Sequence, residues 1–143
     1  MPAPAGPPIG LHLARTAKAV SRAFDDALNA AGGSLSSWLI LLSLMTRDVR
    51  NQRELAEAVG IRGATLTHHL DAMEAARLVT RSRDPDNRRV QRVVVAPRGE
   101  AAFERMRRAA ITFDHRLRTG LSAAEVAGCA RVLDRLRANV VGD

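Results

Sequence analysis

One cysteine, Cys129, in 143 residues excludes an internal disulfide framework and leaves a free thiol or a bridge to another chain. Long apolar runs are missing as well. The longest, Trp38–Met45, falls far short of the roughly 18 residues of a membrane span. The start, MPAPAGPPIG, lacks the basic head and apolar stretch of a signal peptide, so a cytoplasmic protein with no membrane partner is expected. Catalytic constellations are equally scarce. There is no glycine-rich phosphate loop, no Ser-His-Asp arrangement, no acid/base pair and no His-x₃-His spacing. The expectation is no enzymatic activity, no cofactor and no metal. No internal repeat occurs, and the only biased tract is the first ten residues, with four of the six prolines, expected to be disordered or extended.

What the sequence has in excess is positive charge. A formal net charge of +7 on so small a chain is the electrostatic footprint of an anionic partner, nucleic acid or a charged surface. It is also unevenly spread: between Arg77 and Arg108 ten arginines face four carboxylates, a local excess of six. The densest part is RSRDPDNRRVQR, Arg81–Arg92. Arginines this crowded repel one another unless something negative lies against them.

Helical periodicity dominates the rest. Leu13, Ala17, Val20, Phe24 and Leu28 form one apolar stripe that stops at Gly32-Gly33. So long a stripe is read as a dimer interface rather than as the core of a small unit. Ser34 or Ser36 can cap a second, largely apolar helix through Trp38 and Leu42. Asn51 and Glu54 have capping-box spacing before a short helix that ends at Gly60, and after Ile61 and Arg62 another helical stretch begins at Gly63. Two short helices across a tight glycine turn form a helix-turn-helix pattern. Leu78–Thr80 and Val93–Val95 are β-prone runs flanking Asp84-Pro85-Asp86-Asn87, a turn, so an antiparallel pair with a basic tip is expected next. A long helix resumes from Gly99, and Ser122 with Glu125 opens a last one.

In a helix-turn-helix the start of the second helix reaches base edges in the major groove. Those residues here are Arg62, Gly63, Ala64, Thr65, Thr67 and His68, with 64, 65, 68 and 71 facing away from the apolar positions 66, 70 and 73. Arg62 suits guanine, the threonines suit thymine methyls or base acceptors, and Gly63 and Ala64 let the backbone approach closely. Arg81, Arg83, Arg88 and Arg89 are then expected on phosphates or in a narrowed minor groove.

The run from Arg53 to Phe103 resembles the winged helix-turn-helix core of MarR-type transcriptional regulators. The resemblance is carried by the spacing of Glu54-Leu-Ala, the Gly60 turn, Leu70-x-x-Met-Glu, Leu78-Val-x-Arg-x-x-Asp-Pro-x-Asn-Arg-Arg and Arg98-Gly99. It implies a mostly α fold with a small β-hairpin wing, one domain over 11–143. Residues 34–98 would form the core, and 11–31 and 99–141 the dimerisation helices. It also implies a homodimeric repressor on a pseudo-palindrome of double-stranded DNA, released by a small-molecule effector or by oxidation. Two positions depart from the family pattern: Asn87 stands where an aspartate often orients the wing arginine, and His69 where an aliphatic residue is usual.

Several residues carry two readings. Trp38 is a core residue or lines an effector pocket, and His12 and His115 are surface residues or pocket ligands. Cys129 shares a face with Val126, Leu133 and Leu136 and is read first as a buried small hydrophobe, with a redox switch as the alternative. The basic hairpin taken alone could be a solvated surface, and following a helix-turn-helix it is read as a DNA contact. Two rival functions stand beside this: a protein that coats nucleic acid without reading its sequence, and a small-molecule enzyme or carrier using an interhelical pocket, the enzyme disfavoured by the missing reactive constellation.

Overall fold

The computed structural model describes residues 1–47, 49 and 51–141. Along the chain these form α1 (Ile9–Ala30), α2 (Leu35–Thr46), α3 (Gln52–Val59), α4 (Gly63–Ala75), β1 (Val79–Arg83), β2 (Gln91–Val95), α5 (Pro97–Leu117) and α6 (Ala123–Val140). The chain is therefore mostly α, with one two-stranded antiparallel hairpin among the described residues. No single helix among them is long and apolar enough to cross a membrane.

Local chemistry sets the boundaries. α1 starts at Ile9, two residues inside the segment expected to lack regular structure, because Pro8 sits at its N-cap and nothing after it opposes helix. The Ser34 hydroxyl accepts from the Ser37 amide to open α2, and the Leu35 amide donates to Asp25 Oδ1 on α1 at 2.9 Å, tying these two helices together. Asn51 caps α3, whose end at Gly60 takes φ 76°, a left-handed conformation that glycine adopts without strain. α4 stops at Ala75, before the run expected to be β. Arg77 turns to φ 62°, and the Leu78 amide reaches back to the Met73 carbonyl. α5 begins at Pro97, a residue suited to a first helical turn, rather than at Gly99.

Two compact units result, Met1–Ala110 and Ile111–Asp143. The first holds every buried apolar side chain of the described residues, from Leu28 to Met106. Leu55 of α3 and Leu66 and Leu70 of α4 are fully enclosed, each worth about 1.5–3 kcal/mol of burial. Val79 and Val93 bring the inner face of the hairpin onto the same core. Gly99 fits because its backbone lies against Leu78: a Cβ there would fall 2.0 Å from the Leu78 carbonyl oxygen. Within the second unit the left-handed Gly120 precedes α6, which the Ser122/Glu125 capping box opens and which buries no residue at all.

Candidate nucleic-acid interface

The buried leucines of α3 and α4 orient the remaining faces of the two helices. On α4 the apolar positions 66, 70 and 73 point into the core, which leaves Gly63, Ala64, Thr65 and His68 exposed, with Arg62 at the N-cap. Nothing in the chain itself demands a glycine at 63, since a side chain built there would meet no atom within 4 Å. Thr67 differs from its neighbours. It is half-buried, its hydroxyl donates to the Gly63 carbonyl at 2.9 Å, and it accepts from Gln52 Nε2 of α3 at 2.6 Å. His69 is also half-buried, edge-on to His68.

The hairpin divides its arginines. Strand register pairs Val79 with Val95 and Arg83 with Gln91, which places Arg81 and Arg83 on the inner face with Val79. Arg81, its side chain only 15% exposed, is held by Asp71 and by Glu74 of α4, and Glu74 also accepts from the Arg81 backbone amide at 3.0 Å. These carboxylates raise the guanidinium pKa further, Asp71 first. Arg81, expected on DNA, joins the wing to α4 through these two carboxylates. Arg83 donates to the Arg88 carbonyl at 2.9 Å and holds the shape of the turn.

Asp84 closes the tip. Its Oδ1 accepts from the amides of Asp86 and Asn87, and its Oδ2 accepts from Arg92 at 2.7 Å. The Asp86 amide above all, and Arg92 and Asn87 with it, hold the Asp84 carboxyl below its usual range. This contribution to the turn is present above the ordinary carboxylate range and is lost as pH falls through the lowered value. Asn87 accepts from the Arg89 amide at 3.2 Å, so it orders the backbone of the tip and not the guanidinium. Among the described residues, Arg88 and Arg89 have exposed side chains with no hydrogen bond or ion pair.

A groove of about 960 Å³ runs from the start of α3, past the Gly60–Gly63 turn, to the wing at Arg89–Gln91. Arg53, Arg62 and Arg89 line it against one carboxylate, Glu57, which lies 3.5 Å from Arg53. Sequence reasoning missed Gln52 and Arg53 in this wall; the Asn51 cap marks a helix start but not the direction of the side chains that follow it.

Each effector candidate takes its place on its own helix. Trp38 is a core residue stacked on Phe103, with ring centroids 5.4 Å apart. His12 and His115 are exposed on α1 and α5, and none of the three lines the groove. Cys129 is exposed on α6, not buried as its apolar face suggested. No cluster of three metal-ligating side chains occurs among the described residues.

Two helices across a glycine turn, the second with an exposed start, followed by a hairpin with an arginine tip, define a winged helix-turn-helix protein. The MarR family profile matches residues 34–90. The crystal structure of transcriptional regulator PA3341 is 34% identical, covers 93% of this chain and 98% of its own, and superposes with a TM-score of 0.76. The transcriptional repressor CouR, bound to a 23-mer DNA duplex, is 25% identical over 90% of this chain and 92% of its own, with a TM-score of 0.82. The HTH-type transcriptional regulator YdgJ of Bacillus subtilis (strain 168) is 29% identical over 122 residues, 85% of this chain and 74% of that protein. The chain belongs to the MarR family of DNA-binding transcriptional regulators.

Proposed function

We propose that this protein is a homodimeric repressor of the cytoplasm, without enzymatic activity, that binds a pseudo-palindromic operator and is released by a small-molecule effector. Each copy places the start of α4 in the major groove of one half-site, where Arg62, Gly63, Ala64, Thr65 and His68 meet base edges. Arg88 and Arg89 lie on the adjoining backbone or minor groove, with Arg83 shaping the turn that carries them. The observation that carries this reading is the groove whose arginines converge from α3, the α4 N-cap and the wing tip. A convergent cationic wall beside an exposed helix start is a surface for an anionic duplex.

Dimerisation is supported by the terminal helices, each considered alone. α1 exposes Ile9, Leu11 and Leu13, and the second unit exposes Leu117, Leu121, Val132 and Leu133. Apolar side chains left open in such number mark a contact surface. Family membership supports the effector.

Selection of duplexes from a random pool at near-physiological salt, followed by sequencing, tests the reading. Enrichment of a two-fold symmetric motif with half-sites about one helical turn apart is expected. A flat pool with salt-sensitive retention would identify a coating protein and overturn the operator.

A further inference from the structure

We propose that Gln52 is both a DNA-backbone contact and a positioning residue, its side-chain amide bridging Thr67 of α4 to a phosphate oxygen of the bound duplex. The inference rests on the DNA-binding reading above and adds a residue to it.

The starting point is the hydrogen-bonding capacity of Thr67. A threonine hydroxyl has one hydrogen to give and two lone pairs to receive. The Gly63 carbonyl, 2.9 Å away, can only accept, so it takes the hydrogen. Gln52 Nε2, 2.6 Å from the same oxygen, fills one lone pair. Phosphate oxygens are acceptors, so Thr67 has no proton left for the DNA backbone. A phosphate contact at this place in the groove falls instead to the residue that holds it.

Gln52 has the capacity to take that role. Its amide nitrogen carries two hydrogens in a fixed plane, and only one is engaged by Thr67. Clamping that one fixes the direction of the other, so the donor is aimed before DNA arrives. The residue lines the groove that also contains Arg53, Arg62 and Arg89, where three cations against one carboxylate favour an anion. The same bond joins α3 to α4 between positions 52 and 67. A phosphate held by Gln52 therefore fixes how α4 sits in the major groove, the task of backbone contacts in site-specific binding.

A neutral donor releases no counterion, which separates Gln52 from the arginines around it. Binding of the duplex enriched by the wild-type protein is measured against salt for wild type, Gln52→Ala and Thr67→Val, with single methylphosphonates replacing each backbone phosphate in turn. The expected result is an affinity loss of about fivefold per half-site for Gln52→Ala with an unchanged salt slope. One methylphosphonate per half-site should weaken the wild type and have no effect on Gln52→Ala, and Thr67→Val should reduce sensitivity at that same phosphate. Gln52→Glu, which keeps the side chain's shape and replaces the donor by an anion, should lose more than Gln52→Ala. It serves as the second variant if the alanine form melts early. Wild-type affinity in Gln52→Ala, or wild-type sensitivity at every phosphate despite weaker binding, overturns the inference alone. A wild-type pool that enriches nothing overturns the operator reading and the inference together.

Discussion

At the root of the hairpin Arg81 lies between Asp71 and Glu74 with 15% of its side chain exposed, whereas at the tip Arg88 and Arg89 stand in solvent with no partner among the described residues. Arg83 and Arg92 sit between these extremes, one on the Arg88 carbonyl and the other on Asp84. The same residue type thus serves two purposes along a few residues of strand. Where carboxylates are supplied, arginine joins elements of the fold; where none is supplied, its charge is left for an outside anion. The repulsion expected from the sequence is relieved at the root and kept at the tip.

The root should fail most severely when its packing is broken. Gly99→Ala puts a methyl group 2.0 Å from the Leu78 carbonyl and 2.9 Å from a Val95 methyl, so α5 or the hairpin must move. A loss of about 3 kcal/mol of stability is expected, read as a lower urea midpoint. Arg81→Met keeps most of the side chain's volume and leaves Asp71 and Glu74 without their cation. Its expected cost is about 1 kcal/mol of stability, since both carboxylates remain hydrated, with no change in the salt slope of DNA binding. A reduced slope in Arg81→Met would place Arg81 on phosphate and remove the distinction between root and tip.

How much of this was legible in the sequence follows from sequence separation. The Asn51 cap, the Gly60 turn and the Asp84-Pro85 tip are made by residues within a few positions of one another, and their spacing announces them. Arg81 is ten residues from Asp71 and seven from Glu74, and their meeting depends on how Leu78 turns the chain back from α4. Charge counting alone therefore placed Arg81 with the tip. Gln52 and Thr67, fifteen apart, and Trp38 and Phe103, on α2 and α5, are tertiary contacts that no period in the sequence encodes. The exposure of Cys129 has a different cause. Its stripe reads as buried because apolar periodicity reports that a surface is needed, not whether the same chain supplies it.

The tip should show the opposite behaviour to the root. Arg89→Ala removes a side chain without protein partners among the described residues, so stability should stay within about 0.5 kcal/mol of wild type. Affinity for the selected duplex should fall by about 1 kcal/mol per half-site, equally across related sequences, with the salt slope reduced by about 1 per half-site. Titrations at several salt concentrations read both quantities. An unchanged slope would mean that the tip's charge faces no phosphate.

Arg77 offers the finest division between the two classes, because it belongs to the root by position and to the tip by charge. It holds φ 62° where α4 turns toward β1, a conformation in which any Cβ crowds the backbone. Arg77→Gly relieves that crowding but gives the unfolded chain more freedom, and the two effects oppose each other. With the Leu78 amide already bonded back to Met73 across this turn, the geometry itself is retained, so relief should win by about 0.5 kcal/mol. Duplex affinity and salt slope should not change, since the residue lies at the end of the hairpin away from Arg88 and Arg89. A gain in stability accompanied by a slope lower by about 1 would mean instead that the arginine is retained for phosphate at a conformational cost. The boundary between structural and DNA-facing arginines would then move from within the hairpin to its base.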